Sequence, residues 1–158
     1  MVKLFISDVD GVLTDGSMYY SNDGNEFKRF STYDGMGFQL LRERGVKTCL
    51  ITSEKTRIVE LRAAKMKIDF LFQGEGYFGK LKVAQKLCDE LSIDFSEVSY
   101  IGDDLNCKEL LEAVSYKACP SNARSQIKNI ENIFVLNTQG GDGAVREWAE
   151  MILAMKFS

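Results

Sequence analysis

The sequence predicts an α/β fold in which helices cover both faces of a mostly parallel sheet. Three observations carry this. Short apolar, strand-like runs alternate with stretches of helical periodicity along nearly the whole chain. The runs are short and continuously apolar, as expected of strands buried on both faces. Polar residues with chemical potential fall directly after strand segments, where open parallel sheets gather their function. At 158 residues the chain is read as one domain, residues 1–158, large enough for a core without disulfide staples.

The elements follow in order. Val2–Ser7 reads as a buried strand. Met18–Tyr20 and Glu26–Phe30 flank Ser21-Asn22-Asp23-Gly24-Asn25, a dense turn signal, and so form a hairpin inserted after the first strand. Gly37–Arg44 has a helical pattern stopped by Gly45. Thr48–Thr52 is a strand, and Ser53 is placed to cap a helix running to Met66. Phe70–Phe72 is a strand, and Lys80–Leu91 a helix with Leu81, Ala84, Leu87 and Leu91 on one face. Strand Val98–Ile101, helix Lys108–Val114 and strand Tyr116–Ala118 come next. A short helix at Ala123–Lys128, strand Ile133–Leu136 and a helix from Ala144 to Met155 complete the chain. Repeated β-α-β order with right-handed crossovers makes this a three-layer, Rossmann-like arrangement.

Composition narrows the function. Hydrophobic residues make up 45% and charged residues 27%, ordinary for a globular protein, and the net charge is −3. Without a basic run, neither nucleic acid nor an anionic membrane is the expected partner. No apolar stretch approaches spanning length, and the N-terminus runs straight into a strand without a signal-peptide layout. A cytoplasmic location is expected. Cys49, Cys88, Cys107 and Cys119 form no C-x-x-C pair, so they read as free thiols. The chain has no histidine, which excludes Ser-His-Asp and Cys-His catalysis. Any general acid or base must be a carboxylate, Lys, Tyr or Cys.

The densest chemical signal is Asp8-Val9-Asp10-Gly11 at the end of the first strand. Residues i and i+2 of an extended chain point the same way, so Asp8 and Asp10 start on one side. Paired carboxylates repel unless a cation lies between them. D-x-D-G also occurs in calcium loops and ordinary turns, so the motif alone leaves its role open. Other residues join it on the same rim: Thr52, Ser53 and Glu54 after one strand, Gly102-Asp103-Asp104 after another, and Lys80 opening a helix. Asp8 and Asp103 supply hard oxygen ligands suited to Mg²⁺. Thr52 and nearby backbone amides suit phosphate oxygens, and Lys80 can neutralise phosphate charge. The set points to phosphoryl transfer, where positioning and charge stabilisation do most of the catalysis.

With these residues in view, the sequence resembles the haloacid dehalogenase superfamily of phosphatases. Its four motifs match in order Asp8-Val9-Asp10-Gly11-Val12, Thr52, Lys80 and Gly102-Asp103-Asp104. The resemblance implies a covalent mechanism: Asp8 as nucleophile, Asp10 as general acid and then base, Thr52 and Lys80 on the phosphoryl group. It also implies Mg²⁺ held by the Asp8 side chain, the Asp10 carbonyl and Asp103. Two positions depart from the family pattern. Cys107 stands where another Asp is frequent, which predicts a lost outer interaction. Gly79 precedes Lys80 where Asp or Asn is common, and this leaves Lys82 as an alternative lysine.

Spacing narrows the resemblance further. Thr52 stands 42 residues after Asp10, and Lys80 stands 28 after Thr52. Neither gap holds the cap domain that shuts the site in many relatives. The apolar hairpin, with Met18, Tyr19, Tyr20, Phe27 and Phe30, is expected to pack between subunits, its alternative being to fold on its own core. Together with Asp8–Gly16 and Gly140–Glu147, this resembles the capless, homotetrameric branch that dephosphorylates 3-deoxy-ulosonic acid phosphates. That branch uses the glycine-rich tail near a neighbouring site; the plainer reading of the segment is a helix entry loop. For the substrate, Ser53, Glu54, Arg62 and Lys65 are the candidates, the last two sharing a helix face. Glu54 with Arg62 and Lys65 resembles enzymes of nine-carbon acids: 2-keto-3-deoxy-nonulosonate 9-phosphate or N-acetylneuraminate 9-phosphate. The alternatives are the eight-carbon 3-deoxy-manno-octulosonate 8-phosphate, or a catalytically silent assembly module for a sugar-nucleotide synthetase.

Overall fold

The computed structural model describes residues 1–155, and the last three residues of the expected domain lie outside that range. β1 (Leu4–Ser7) leads through a hairpin, β2 (Tyr19–Tyr20) and β3 (Glu26–Phe27), into α1 (Thr32–Glu43). The chain continues as β4 (Lys47–Thr52), α2 (Arg57–Met66), β5 (Phe70–Gln73), α3 (Lys80–Leu91) and β6 (Val98–Ile101). It closes with α4 (Lys108–Ala113), β7 (Tyr116–Cys119), α5 (Ser125–Lys128), β8 (Phe134–Val135) and α6 (Ala144–Ala154). Six strands form one sheet in the order β5-β4-β1-β6-β7-β8, and every neighbouring pair is parallel. The hairpin stands apart as a two-stranded antiparallel unit. The expected architecture is therefore present, and no cap domain occurs among the described residues.

Strand alternation splits the core into two layers. Phe5, Val9 and Leu50 face α1, α2 and α6, where Phe38, Leu41, Ala63 and Trp148 are buried. Leu4, Ile6, Cys49 and Ile51 face α3, α4 and α5, with Ala84, Leu87, Leu110 and Ile127. The buried indole of the first layer finds a partner: Trp148 Nε1 donates to Ser99 Oγ at 2.8 Å, tying α6 to β6.

Two helix starts differ by more than two residues from the sequence reading. α1 begins at Thr32, five residues before the expected Gly37, because the Ser31 hydroxyl accepts from the Tyr33 amide. Gly35 and Gly37 within it are poor helix formers but allow close approach. A Cβ on Gly37 would lie 3.0 Å from the Arg146 Cα of α6. α2 begins at Arg57 rather than after Ser53, since Thr56 is the residue whose side chain accepts from the helix, at Val59 N. Ser53 instead donates its hydroxyl to the Gly76 carbonyl at 3.2 Å. Residues 53–56 are therefore a loop on the rim, not the first turn of a helix.

Candidate active site

Asp8 extends β1 by one residue: its amide donates to the Ile101 carbonyl of β6 at 3.1 Å. Strand order changes direction between β1 and β6, and the crevice beyond such a point is the favoured ligand position of open α/β sheets. The chain then folds back sharply. The amides of Val12, Leu13 and Thr14 all reach the Val9 carbonyl, at 3.2, 2.8 and 3.2 Å. Thr14 Oγ1 accepts from the amides of Gly11 and Gly16, at 3.2 and 3.1 Å. Gly11 has φ +83, and a Cβ there would meet Asp103 Oδ2 at 1.9 Å. Glycine thus lets the loop lie directly against the Asp103 carboxylate.

The two oxygens of Asp8 are held separately. Oδ1 accepts from the Val9 amide at 2.7 Å. Oδ2 pairs with Lys80 Nζ at 2.7 Å and accepts from the Cys107 thiol at 2.9 Å. Lys80 is almost fully buried at the first position of α3, whereas Lys82 is exposed. Lys80, not Lys82, is the lysine that reaches Asp8. Burial alone would lower the Lys80 pKa, but the Asp8 carboxylate outweighs it and raises the ammonium above its ordinary value. Gly79 has a steric reason: a Cβ would stand 1.8 Å from the Glu75 carbonyl oxygen.

Cys107 does not leave the expected gap. Its sulfur touches Asp8 and lies 3.5 Å from Lys80 Nζ, so the interaction is replaced rather than lost. Burial first, and the Asp8 charge second, push the thiol up to about 12, which keeps it protonated and a donor. All four cysteines are free and buried. Asp103 completes the cluster: one ligand atom each from Asp8, Asp103 and Cys107 lies within 4.8 Å of the others. Burial, then the neighbouring Asp8 carboxylate, push Asp103 up to about 8. Two carboxylates against one lysine leave the cluster short of positive charge, the condition that a divalent cation corrects.

Thr52 is buried at the end of β4, two residues beyond the Ser7–Leu50 register pair, which sets it on the same rim as Asp8. Ser53 accepts from Asn106 Nδ2 at 3.2 Å, and Glu54 is exposed beside it. Asp10 is half-exposed. Arg62 and Lys65 are not brought to this cluster. They line a separate pocket of about 560 Å³ with Thr32, Gln39, Arg42 and Lys67. Arg62 there donates to the Ser31 carbonyl at 2.9 Å and stacks 5.6 Å from the Phe30 ring.

Three contributors were not legible in the sequence. Asn122 Nδ2 donates to the Gly11 carbonyl at 3.0 Å, and its Oδ1 accepts from the Gly140 amide at 2.6 Å. It clamps the Asp8–Gly16 loop to the glycine-rich segment, where a Cβ on Gly140 would meet Gly11 O at 2.1 Å. Within the chain, that segment supports its own Asp8–Gly16 loop and enters α6 through Gly143. Asn106 is the second contributor. Lys28, after β3, is the third: its Nζ lies 2.7 Å from Asp10 Oδ1. A lysine inside Phe27-Lys28-Arg29-Phe30 was the available signal.

Residues 75–147 match the family described as haloacid dehalogenase-like hydrolase. The 3-deoxy-D-manno-octulosonate 8-phosphate phosphatase of Escherichia coli K12 is 35% identical over 152 residues, covering 96% of this chain and 79% of that protein. The chain belongs to the haloacid dehalogenase-like hydrolases. This hydrolase is also similar to solved structures. A probable YrbI family phosphatase from Pseudomonas syringae has a TM-score of 0.92 and 42% identity, covering 97% of this chain and 85% of that one. The 3-deoxy-D-manno-octulosonate 8-phosphate phosphatase of Moraxella catarrhalis, in complex with magnesium, phosphate and KDO, has a TM-score of 0.91 and 35% identity. It covers 96% of this chain and 86% of that one. This hydrolase is a phosphoric monoester hydrolase with Mg²⁺ as cofactor.

Proposed function

We propose that this hydrolase removes phosphate from a 3-deoxy-ulosonic acid phosphate through an aspartyl-phosphate on Asp8. The observation that carries the reading is the buried Asp8–Lys80 pair beside Asp103 at the β1–β6 crevice. An Asp8 oxygen attacks phosphorus, and the bond from phosphorus to the sugar oxygen breaks. Asp10 gives its proton to that oxygen. Asp10, now a carboxylate, takes a proton from water as the water oxygen bonds to phosphorus and the bond to Asp8 breaks. Phosphate leaves and Asp8 is restored. Thr52 and Lys80 hold the phosphoryl oxygens. Asp8, Asp103 and the Asp10 carbonyl would hold Mg²⁺, which neutralises charge on the transferring group. With this set intact, a silent assembly module is the weaker reading.

The eight-carbon acid, 3-deoxy-manno-octulosonate 8-phosphate, is the substrate that the named relatives support, over the nine-carbon acids first expected. A specific observation keeps the nine-carbon reading as second. Glu54 is exposed on the loop after Thr52, where it could meet a longer sugar tail, and Arg62 and Lys65 offer a cationic pocket for a carboxylate. The pocket excludes Asp8, so those two residues would serve a site only in a second copy of the chain. A homotetramer suits this and would cover the exposed Tyr19, Tyr20 and Phe27 of the hairpin. Sedimentation is expected to read four copies; a monomer at micromolar concentration would contradict the assembly. A cytoplasmic location suits four free thiols; among the described residues no helix is long and apolar enough to cross a membrane.

The substrate test compares kcat/KM on eight- and nine-carbon acid phosphates with Mg²⁺ present. A preference of about tenfold or more for the eight-carbon acid is expected, about 1.4 kcal/mol in transition-state binding. The reverse preference selects the second reading.

A further inference from the structure

We propose that Lys28 is a positioning residue for the proton-transfer step, fixing the Asp10 carboxylate from the hairpin. The inference rests on the proposed role of Asp10 as proton donor. Lys28 Nζ donates to Asp10 Oδ1 at 2.7 Å and lies 3.2 Å from Glu26 Oε1. The Lys28 side chain is fully shielded from solvent, whereas the Asp10 side chain is 27% exposed. A surface lysine seldom surrenders all its hydration for a partner that keeps some of its own, because burying an ammonium is costly. Here the cost is met by a charge-assisted hydrogen bond to Asp10 and by the nearby Glu26. Glu26 Oε1 makes no hydrogen bond of proper geometry, so the directed contact of Lys28 is the one to Asp10.

The geometry has a chemical consequence. Asp8 is held by Val9, Lys80 and Cys107. Asp10 sits beyond the strand on a loop whose next residue, Gly11, has left-handed backbone. Lys28 fixes Oδ1, leaving Oδ2 to meet the oxygen of the departing sugar. Holding a proton donor within a fraction of an ångström of its acceptor is what makes general acid catalysis efficient. The hairpin therefore contributes to the chemistry of its own subunit, independently of any assembly its aromatic face supports. In the step itself Lys28 keeps its protons; the proton that moves is the one between Asp10 and the leaving oxygen.

The test varies the leaving group. An alkyl or sugar phosphate needs a proton on its departing oxygen, whereas p-nitrophenyl phosphate releases a stable anion and does not. The ratio kcat/KM reports steps through phosphoryl transfer to Asp8, so it isolates the donor's contribution. In Lys28→Met, kcat/KM on a sugar-acid phosphate is expected to fall about tenfold or more, and on p-nitrophenyl phosphate less than about threefold. Lys28→Arg, which keeps a charged donor, is expected to recover most of the loss. Equal losses on both substrates, or none on the sugar-acid phosphate, would overturn the proposal. Should Lys28→Met not fold, Lys28→Gln, too short to reach Asp10, is read by the same ratio and the same criteria. Asp10→Ala separates the two levels. If it keeps wild-type turnover of the sugar-acid phosphate, the proton-donor reading itself fails. If it is inactive and the Lys28 variants lack leaving-group selectivity, only the role of Lys28 fails.

Discussion

Lys80 is buried and pairs with Asp8 at 2.7 Å. Removing it leaves Asp8 and Asp103 facing each other without a cation, and breaking a buried pair in this way is expensive. Lys80→Met is expected to lose about 3 kcal/mol of stability in urea unfolding with metal chelated, and to regain part of it when Mg²⁺ is added. Equal stability to wild type in chelator would mean that the pair is not holding the crevice together. Sequence gave good access to this scale wherever a motif sits at a strand end: Asp8, Lys80 and Asp103 converge as expected. It gave none to Asn122, whose two amide atoms bridge segments 11 and 140, because no local pattern marks a side chain whose role is set by two distant loops. Cys107 could be flagged as unusual but not placed, since whether it touches Asp8 depends on how the turn after β6 is wound.

At the scale of the element, α1 and α6 are joined through Asp34. Its Oδ1 accepts from the Arg146 amide at 3.1 Å in the first turn of α6, while its Oδ2 is buried without a partner. Burial, opposed by the amide hydrogen bonds, pushes this carboxyl up to about 6. A carboxyl raised above its unfolded value holds its proton more tightly in the folded chain. Its contribution is complete below about pH 4 and is lost as pH rises through 6. Asn cannot ionise, so the stability of wild type relative to Asp34→Asn is expected to fall by roughly 2–3 kcal/mol between pH 4 and pH 7. Urea unfolding of both proteins at the two pH values measures it; a constant difference would contradict the assignment. The same helix pair explains a boundary that the sequence obscured. Gly35 falls before the expected start because glycine is a poor helix former, and at Gly37, the expected first residue, α6 approaches too closely for a side chain. By contrast, α3 and β6 match their expected bounds, because strong apolar periodicity and a fully buried run leave little competition.

For the whole molecule, the sheet order sets the function. β1 lies at the centre, so the loop after it meets the loops after β4 and β6 and the start of α3, and residues scattered from 8 to 107 share one crevice. That convergence was readable from the β-α-β alternation, as was the lack of room for a cap. The separation of Arg62 and Lys65 from that crevice was not: they face a pocket that no residue of the Asp8 cluster lines. In the proposed function Asp8 is the nucleophile of a Mg²⁺-dependent sugar-acid phosphatase. That role is tested most directly by phosphate release from 3-deoxy-manno-octulosonate 8-phosphate by wild type and Asp8→Asn, each with Mg²⁺ and with chelator. Wild type is expected to turn over only with Mg²⁺, and Asp8→Asn to lose at least about a thousandfold in kcat. Comparable release by Asp8→Asn, or full wild-type activity in chelator, would contradict the account.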